Sequence, residues 1–178
     1  MAIFIALLRA INVGGTGMLP MKELSAMSTQ LGFENVRTYI QSGNVIFESA
    51  LAEKTVQAQL EEVLTKRMGK KVDVVVRTAS ELRSILKGNP FAEMEPAKVA
   101  VMFLSSPVPA QSLKDVVGPG GEKVRARDRQ IYIYYPDGMG RSKLKLPSLG
   151  GPATVRNINT VTKLVAMTEK ITQKMTRG

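Results

Sequence analysis

"VRTYIQSGNVIFES", residues 36 to 49, holds two β-rich runs separated by Gln41, Ser42, Gly43 and Asn44. Branched and aromatic residues on both sides of such a turn signal read as a hairpin. Upstream, residues 2 to 8 of "MAIFIALLRA" form an apolar run without helical spacing, the pattern of a central strand buried on both faces. Arg9 directly behind that run, with no basic region ahead of it, favours a strand over a targeting leader. Between strand and hairpin, Pro20 can open a helix. Its Met21, Leu24, Met27 and Leu31 fall on one face, and Gly32 supplies a left-handed stop. Downstream, Val56, Leu60, Val63 and Leu64 mark a second amphipathic helix ending at Gly69, and "KVDVVVR" (71 to 77) reads as a strand.

The resulting order, βαββαβ, predicts the split β-α-β arrangement called ferredoxin-like, or alpha-beta plait. Thr78 and Glu81 form a capping box for a short helix that stops at Gly88. Pro90 and Pro96 then suggest a boundary, giving an N-terminal unit over 1–89 and a basic C-terminal unit over 90–178. The second half repeats the order. "KVAVMFL" (98 to 104) is a strand, "PAQSLKDVVG" (109 to 118) a short helix, and "EKVRARDRQIYIYYP" (122 to 136) a hairpin. A weaker helical stretch from Arg141, the strand "ATVRN" and a closing helix over 160–175, with Val161, Leu164, Val165 and Ile171 inward, complete it. The expected fold class is therefore α+β, two tandem ferredoxin-like units with antiparallel sheets. The repeat is one of topology, without visible identity between the halves.

Composition narrows the chemistry. Cysteine and histidine are both absent from the 178 residues, which removes thiolate nucleophiles, disulfides, Cys or His zinc sites and histidine bases. Proton transfer would fall to Asp, Glu, Lys or Tyr; no carboxylate cluster is spaced to hold a metal, and no cofactor is expected. No run of about eighteen apolar residues is present, so a soluble cytoplasmic protein without a membrane partner is expected. The net charge is +10. From Lys123 onward there are twelve Lys or Arg against three acids, a net +9, so one end carries nearly all of it. Such asymmetry suits nucleic acid or an anionic small molecule.

Topology groups the polar loops. A 4-1-3-2 sheet brings the end of the first strand to the hairpin turn, so Arg9, Asn12, Gly14 and Gly15 should lie near Gln41, Ser42, Gly43 and Asn44. The glycines of "RAINVGGTGMLP" (9 to 20) could cradle phosphate, or merely turn the chain, since no P-loop or dinucleotide spacing accompanies them. In the second unit, "DGMGRSK" (137 to 143) should meet "RNINT" (156 to 160). Arg141, Ser142, Lys143, Arg156, Asn157, Asn159 and Thr160 would then share a rim beside a helix N-terminus, a plausible anion site. Asn157, Asn159 and Thr160 are equally good helix caps.

"LLRAINVGGTGMLPMKEL", "LGFENVRTYIQSGNVIF", "VRTASEL", "NPF", "DGMGRSKL" and "ATVRNINTVTKL" resemble, in order and spacing, the bacterial family known as domain of unknown function 1697. The resemblance spans nearly the whole chain and implies two ferredoxin-like units but no activity. Ala10 stands where the family usually has glycine, Ile158 where it has an aromatic, and Pro147 interrupts the helix expected after "GRSKL".

Three functions follow from these features. The first is binding of a phosphate-bearing ligand or nucleic acid through the Arg/Asn-rich and Gly-rich loops. "IFIALL" (3 to 8) looks like the first RNA-binding strand of a recognition fold, but "SGNVIF" puts Asn44 and Ile46 where stacking aromatics belong. Tyr132, Tyr134 and Tyr135 beside Arg125, Arg127 and Arg129 are a better stacking candidate. The second is an enzyme for an anionic substrate held by Arg141, Lys143 and Arg156, using Asp137 or Tyr39. The third is a non-catalytic module that pairs with another copy or another protein.

Overall fold

The computed structural model describes residues 1–12 and 18–178. It is a mixed α+β chain with two four-stranded antiparallel sheets and four α-helices. Two compact units divide it: Met1–Ser84 together with Leu164–Gly178, and Ile85–Lys163. The division differs from the boundary expected at 89/90 because two helices, not the Pro90–Pro96 loop, run from one unit to the other.

In the first unit the sheet order is β2-β3-β1-β4, with strands β1 (Ala2–Leu8), β2 (Glu34–Tyr39), β3 (Asn44–Ser49) and β4 (Val74–Thr78). Phe4, Ala6 and Leu8 of β1 join Val45, Phe47, Val74 and Val76 in one apolar cluster. Ile5 and Leu7, on the opposite face, are equally buried, as a central strand apolar at every position requires. Helices α1 (Met21–Gln30) and α2 (Glu53–Met68) supply Leu24, Met27, Val56, Leu60 and Leu64 to the cluster. Phe33 stacks on Phe47 with ring centroids 4.2 Å apart. Pro20 caps α1 with extended backbone, and Gly32 (φ +88°) and Gly69 (φ +69°) end the two helices in the left-handed region, as expected.

The second sheet runs β6-β7-β5-β8: β5 (Val99–Leu104), β6 (Lys123–Arg127), β7 (Gln130–Tyr134) and β8 (Ala153–Asn157). Strand order repeats, but the expected helices do not. Residues 110–115 form turns, and after a single 3-10 turn at Met139–Arg141 the chain runs without helix to β8. Six of the nine prolines explain this: Pro107, Pro109 and Pro119 lie in the first crossover, Pro136, Pro147 and Pro152 in the second. "KLKL" (143 to 146) alternates, with Leu144 and Leu146 against the sheet cluster and Lys143 and Lys145 exposed. That period of two is an extended strap, not a helix.

Helices α3 (Ala79–Lys87) and α4 (Ile158–Arg177) follow β4 and β8 in the same way. "VRT" (76 to 78) and "VRN" (155 to 157) each end a strand, so a short local likeness between the halves does exist. Thr78 Oγ1 accepts from the Glu81 amide at 3.1 Å, and Asn157 Oδ1 from the Asn159 amide at 2.8 Å, capping the two helices. Arg77 and Arg156, the matching residues before the caps, are both buried.

Candidate functional site

The corner of the first unit forms as topology predicts. Leu7 pairs with Asn44, and the Leu8 amide donates to the Gly43 carbonyl at 2.9 Å. Asn12 Nδ2 donates to the carbonyls of Leu19 (2.9 Å) and Gln41 (3.0 Å), while its Oδ1 accepts from the Leu19 amide at 2.6 Å. Asn44 Nδ2 donates to the Tyr39 carbonyl at 2.8 Å and to Ser42 Oγ at 3.1 Å. Both amides thus close the corner upon itself. Arg9 turns toward the β4 side, 3.5 Å from Asp73. Gly14 and Gly15 lie outside the described residues. Ala10, where a left-handed residue is needed, has φ +51°.

The second cluster separates into two places. Ser142 Oγ donates to Glu122 Oε1 at 2.7 Å, at the head of β6. Asn157 Nδ2 donates to the Ala97 carbonyl at 3.0 Å, at the end of β8. Since β6 and β8 are the two outer strands, three strand spacings or about 14 Å separate these ends. Arg141 and Lys143 therefore stand with β6; Arg156, Asn157, Asn159 and Thr160 stand with β8. Arg156 is not on a rim. Its guanidinium donates to Thr154 Oγ1 (2.7 Å) and the Val155 carbonyl (3.0 Å), and burial pushes its pKa down to about 10.

What the structure brings together instead is a basic edge. Lys123, Arg125 and Arg127 alternate along β6, so they share one face of an outer strand, and all three are exposed. Glu122, just before them, accepts from both Ser142 and the Gly120 amide (2.7 Å), which ties the start of the strap to the head of β6. The Ser142 hydrogen bond holds the Glu122 carboxyl below the usual range. Two open clefts flank the turns at 110–115. One, about 400 Å³, is lined by Lys114, Arg125 and Arg127; the other, about 550 Å³, by Asp115, Lys143 and Lys145; Ser112 borders both. Among the described residues, the ion pair of this unit is Lys98–Glu95, and none of Lys123, Arg125, Arg127, Lys143 and Lys145 is in one.

Sequence reasoning named Arg125 and Arg127 only as neighbours of a tyrosine stack and did not join them to Lys123 as one edge, although the signal was present: "KVRAR" and "KLKL" both alternate cation with apolar residue, the mark of two extended segments with charged outer faces. The stacking surface expected beside it is absent. Tyr132 is 1% exposed, its hydroxyl donating to the Ile85 carbonyl at 2.6 Å, and Tyr135 is 8% exposed. Burial raises both phenol pKa values. Tyr134 lies against Phe91 with ring centroids 6.2 Å apart. The described residues contain no group of three or more acids placed to hold a metal ion and no helix long and apolar enough to cross a membrane.

A family model described as "Protein of unknown function (DUF1697)" matches residues 1–132, about three quarters of the chain. The chain belongs to the DUF1697 family. The matched part of this DUF1697 chain includes Lys123, Arg125 and Arg127 but ends before the strap and α4. No curated protein matches it. Its fold is similar to that of the conserved bacterial protein SP0830 from Streptococcus pneumoniae, with TM-score 0.75 and 22% identity over 93% of this chain and 98% of the other. At that identity the likeness speaks for the DUF1697 fold alone.

Proposed function

We propose that this chain binds phosphate-bearing ligands, nucleic acid foremost, along the basic outer edge of the second sheet. The observation that carries the proposal is the row Lys123, Arg125, Arg127, three exposed cations on one face of an edge strand without acid partners among the described residues. Cations on an edge strand also discourage unwanted strand pairing. That role would not call for Lys114, which lies off the strand in the turns at 110–115, is exposed, and lines one cleft with Arg125 and Arg127. Open clefts rather than a closed pocket favour a long ligand over a single small anion. We read both units as ferredoxin-like, the second stripped of its crossover helices, and place the protein in the cytoplasm, where such ligands abound. The repeated strand order supports the fold reading.

A thermal-shift series tests the proposal, with nucleotides, phosphorylated metabolites and oligonucleotides added to wild type and to Arg125→Gln/Arg127→Gln. Oligonucleotides should raise the wild-type Tm by several degrees at low salt and leave the variant unshifted. An equal shift in both proteins, or none in either, would overturn it.

A further inference from the structure

We infer that the ligand of the basic edge is a nucleic-acid duplex, gripped through its phosphates without reading of bases; this rests on the function proposed above. Single strands are held by basic grooves combined with aromatic side chains on which bases stack. Here the charge is present and the rings are withdrawn. The chain has five Phe, four Tyr and no Trp. All five Phe, with Tyr132 and Tyr135, are buried, and Tyr39 and Tyr134 are half-buried, so none of the nine is exposed. The withdrawal is most telling beside the cations themselves. Arg125 pairs across the ladder with Tyr132, which is sunk to 1% exposure and engaged through its hydroxyl, and Lys123 pairs with Tyr134, which lies against Phe91.

Geometry agrees. From Lys123 to Arg127 the strand spans about 13 Å. That reaches phosphates on both lips of a minor groove about 6 Å wide, while the extended β6 offers no stacking surface to an unpaired base. Arg side chains facing phosphates on both sides of a groove require no sequence, only the regular spacing that a duplex keeps and a flexible single strand lacks.

The test is fluorescence anisotropy of the full chain with a labelled duplex of DNA, the matching duplex of RNA and the corresponding single strands, across a salt series, with unlabelled inorganic polyphosphate as competitor. Duplex should bind at least tenfold tighter than single strand. With four phosphate contacts, from Lys114, Lys123, Arg125 and Arg127, log Kd against log salt should have a slope of about 3 to 4. Lys123→Gln/Arg125→Gln/Arg127→Gln should lower that slope by about 2 to 3, and Lys114→Gln by about 1. The control Lys170→Gln/Lys174→Gln/Arg177→Gln, which removes the same charge from α4, should leave it unchanged. Circular dichroism establishes that each variant is folded. Single strand bound as tightly as duplex, or polyphosphate displacing duplex at equal phosphate concentration, would overturn the duplex inference and leave the proposed function standing. No binding to any nucleic acid, or equal losses in the α4 control and the β6 variant, would overturn both. A preference for one sugar among the duplexes would support duplex binding and identify its source.

Discussion

In the first unit both sheet crossovers are helices, whereas in the second they are turns and an extended strap, yet the strands of the two sheets follow the same order. The order is set by strand pairing: β1 and β5 are each apolar and central, and each is flanked by two antiparallel partners. The crossover has a separate task, to cover one sheet face. Leu24, Val56, Leu60 and Leu64 do so at helical spacing, and Leu144 and Leu146 at strand spacing. A helix turns its charged side away from the sheet over several turns. A strap turns every second residue outward, which is how Lys143 and Lys145 come to be exposed over the face that Leu144 and Leu146 cover, opposite the face of the Lys123, Arg125 and Arg127 row.

The largest expected difference between the two covers is in packing. Leu60→Ala should cost about 3 kcal/mol in urea unfolding, because α2 buries the whole side chain, whereas half-buried Leu146→Ala should cost only about 1 kcal/mol. Equal losses would mean that the strap is packed as firmly as a helix. The turns should differ next. A Cβ on Gly43 would lie 2.6 Å from Ile11 Cδ1 and 3.0 Å from Leu8 Cβ, whereas one on Gly138 would meet nothing within 4 Å, and both glycines have positive φ, Gly138 with ψ +152°, a region open essentially to glycine alone. Gly43→Ala should therefore lose about 2 kcal/mol and Gly138→Ala about 1 kcal/mol, the latter from backbone strain alone.

The matching helix caps sharpen the likeness rather than the difference. Thr78→Ala and Asn157→Ala should each cost about 1 kcal/mol, with Asn157 the more costly because its amide also holds the Ala97 carbonyl. A gain is expected at Ala10. Replacing it with glycine at φ +51° should stabilise the first unit by about 0.5–1 kcal/mol, read from the shift of the urea midpoint. The smallest effect is at the latch between β6 and the strap. Ser142→Ala should scarcely change stability but should raise the Glu122 pKa, followed by NMR of its carboxyl carbon. The sign follows from linkage: a carboxyl held low in the folded state adds stability above its unfolded pKa, and that increment disappears as pH falls through the folded value.

Much of the first unit was legible because its signals agree: Pro20 and Gly32 bracket α1, apolar residues recur at helical spacing, and "VRTYIQSGNVIFES" folds as the hairpin it spells. The family, too, was legible in its motifs. The second unit was harder because expectation of a repeat overrode local chemistry. "PAQSLKDVVG" has a helical apolar spacing, but prolines at 107, 109 and 119 surround it, and "KLKL" alternates like a strand. The residues of the second loop cluster came apart for a different reason. The 4-1-3-2 order already puts β6 and β8 at the two extremes of the sheet, but it does not tell that Ser142 reaches Glu122 at the head of β6, nor that Arg156 turns into a buried face. Asn12, by contrast, was placed correctly beside Gln41, since one adjacent strand pair fixes that contact.

The membership of α4 bears on how the chain is made. The first unit comprises residues 1–84 and 164–178, so the whole of the second unit is synthesised between its two pieces. During translation the first sheet can pair long before its last helical segment exists, while the second unit, contiguous from Ile85 to Lys163, can complete itself in between. A fragment cut at the Pro90–Pro96 loop would leave the first unit without residues that belong to it. The chain thus leaves the first unit at Ile85 and returns to it only after the second has been made.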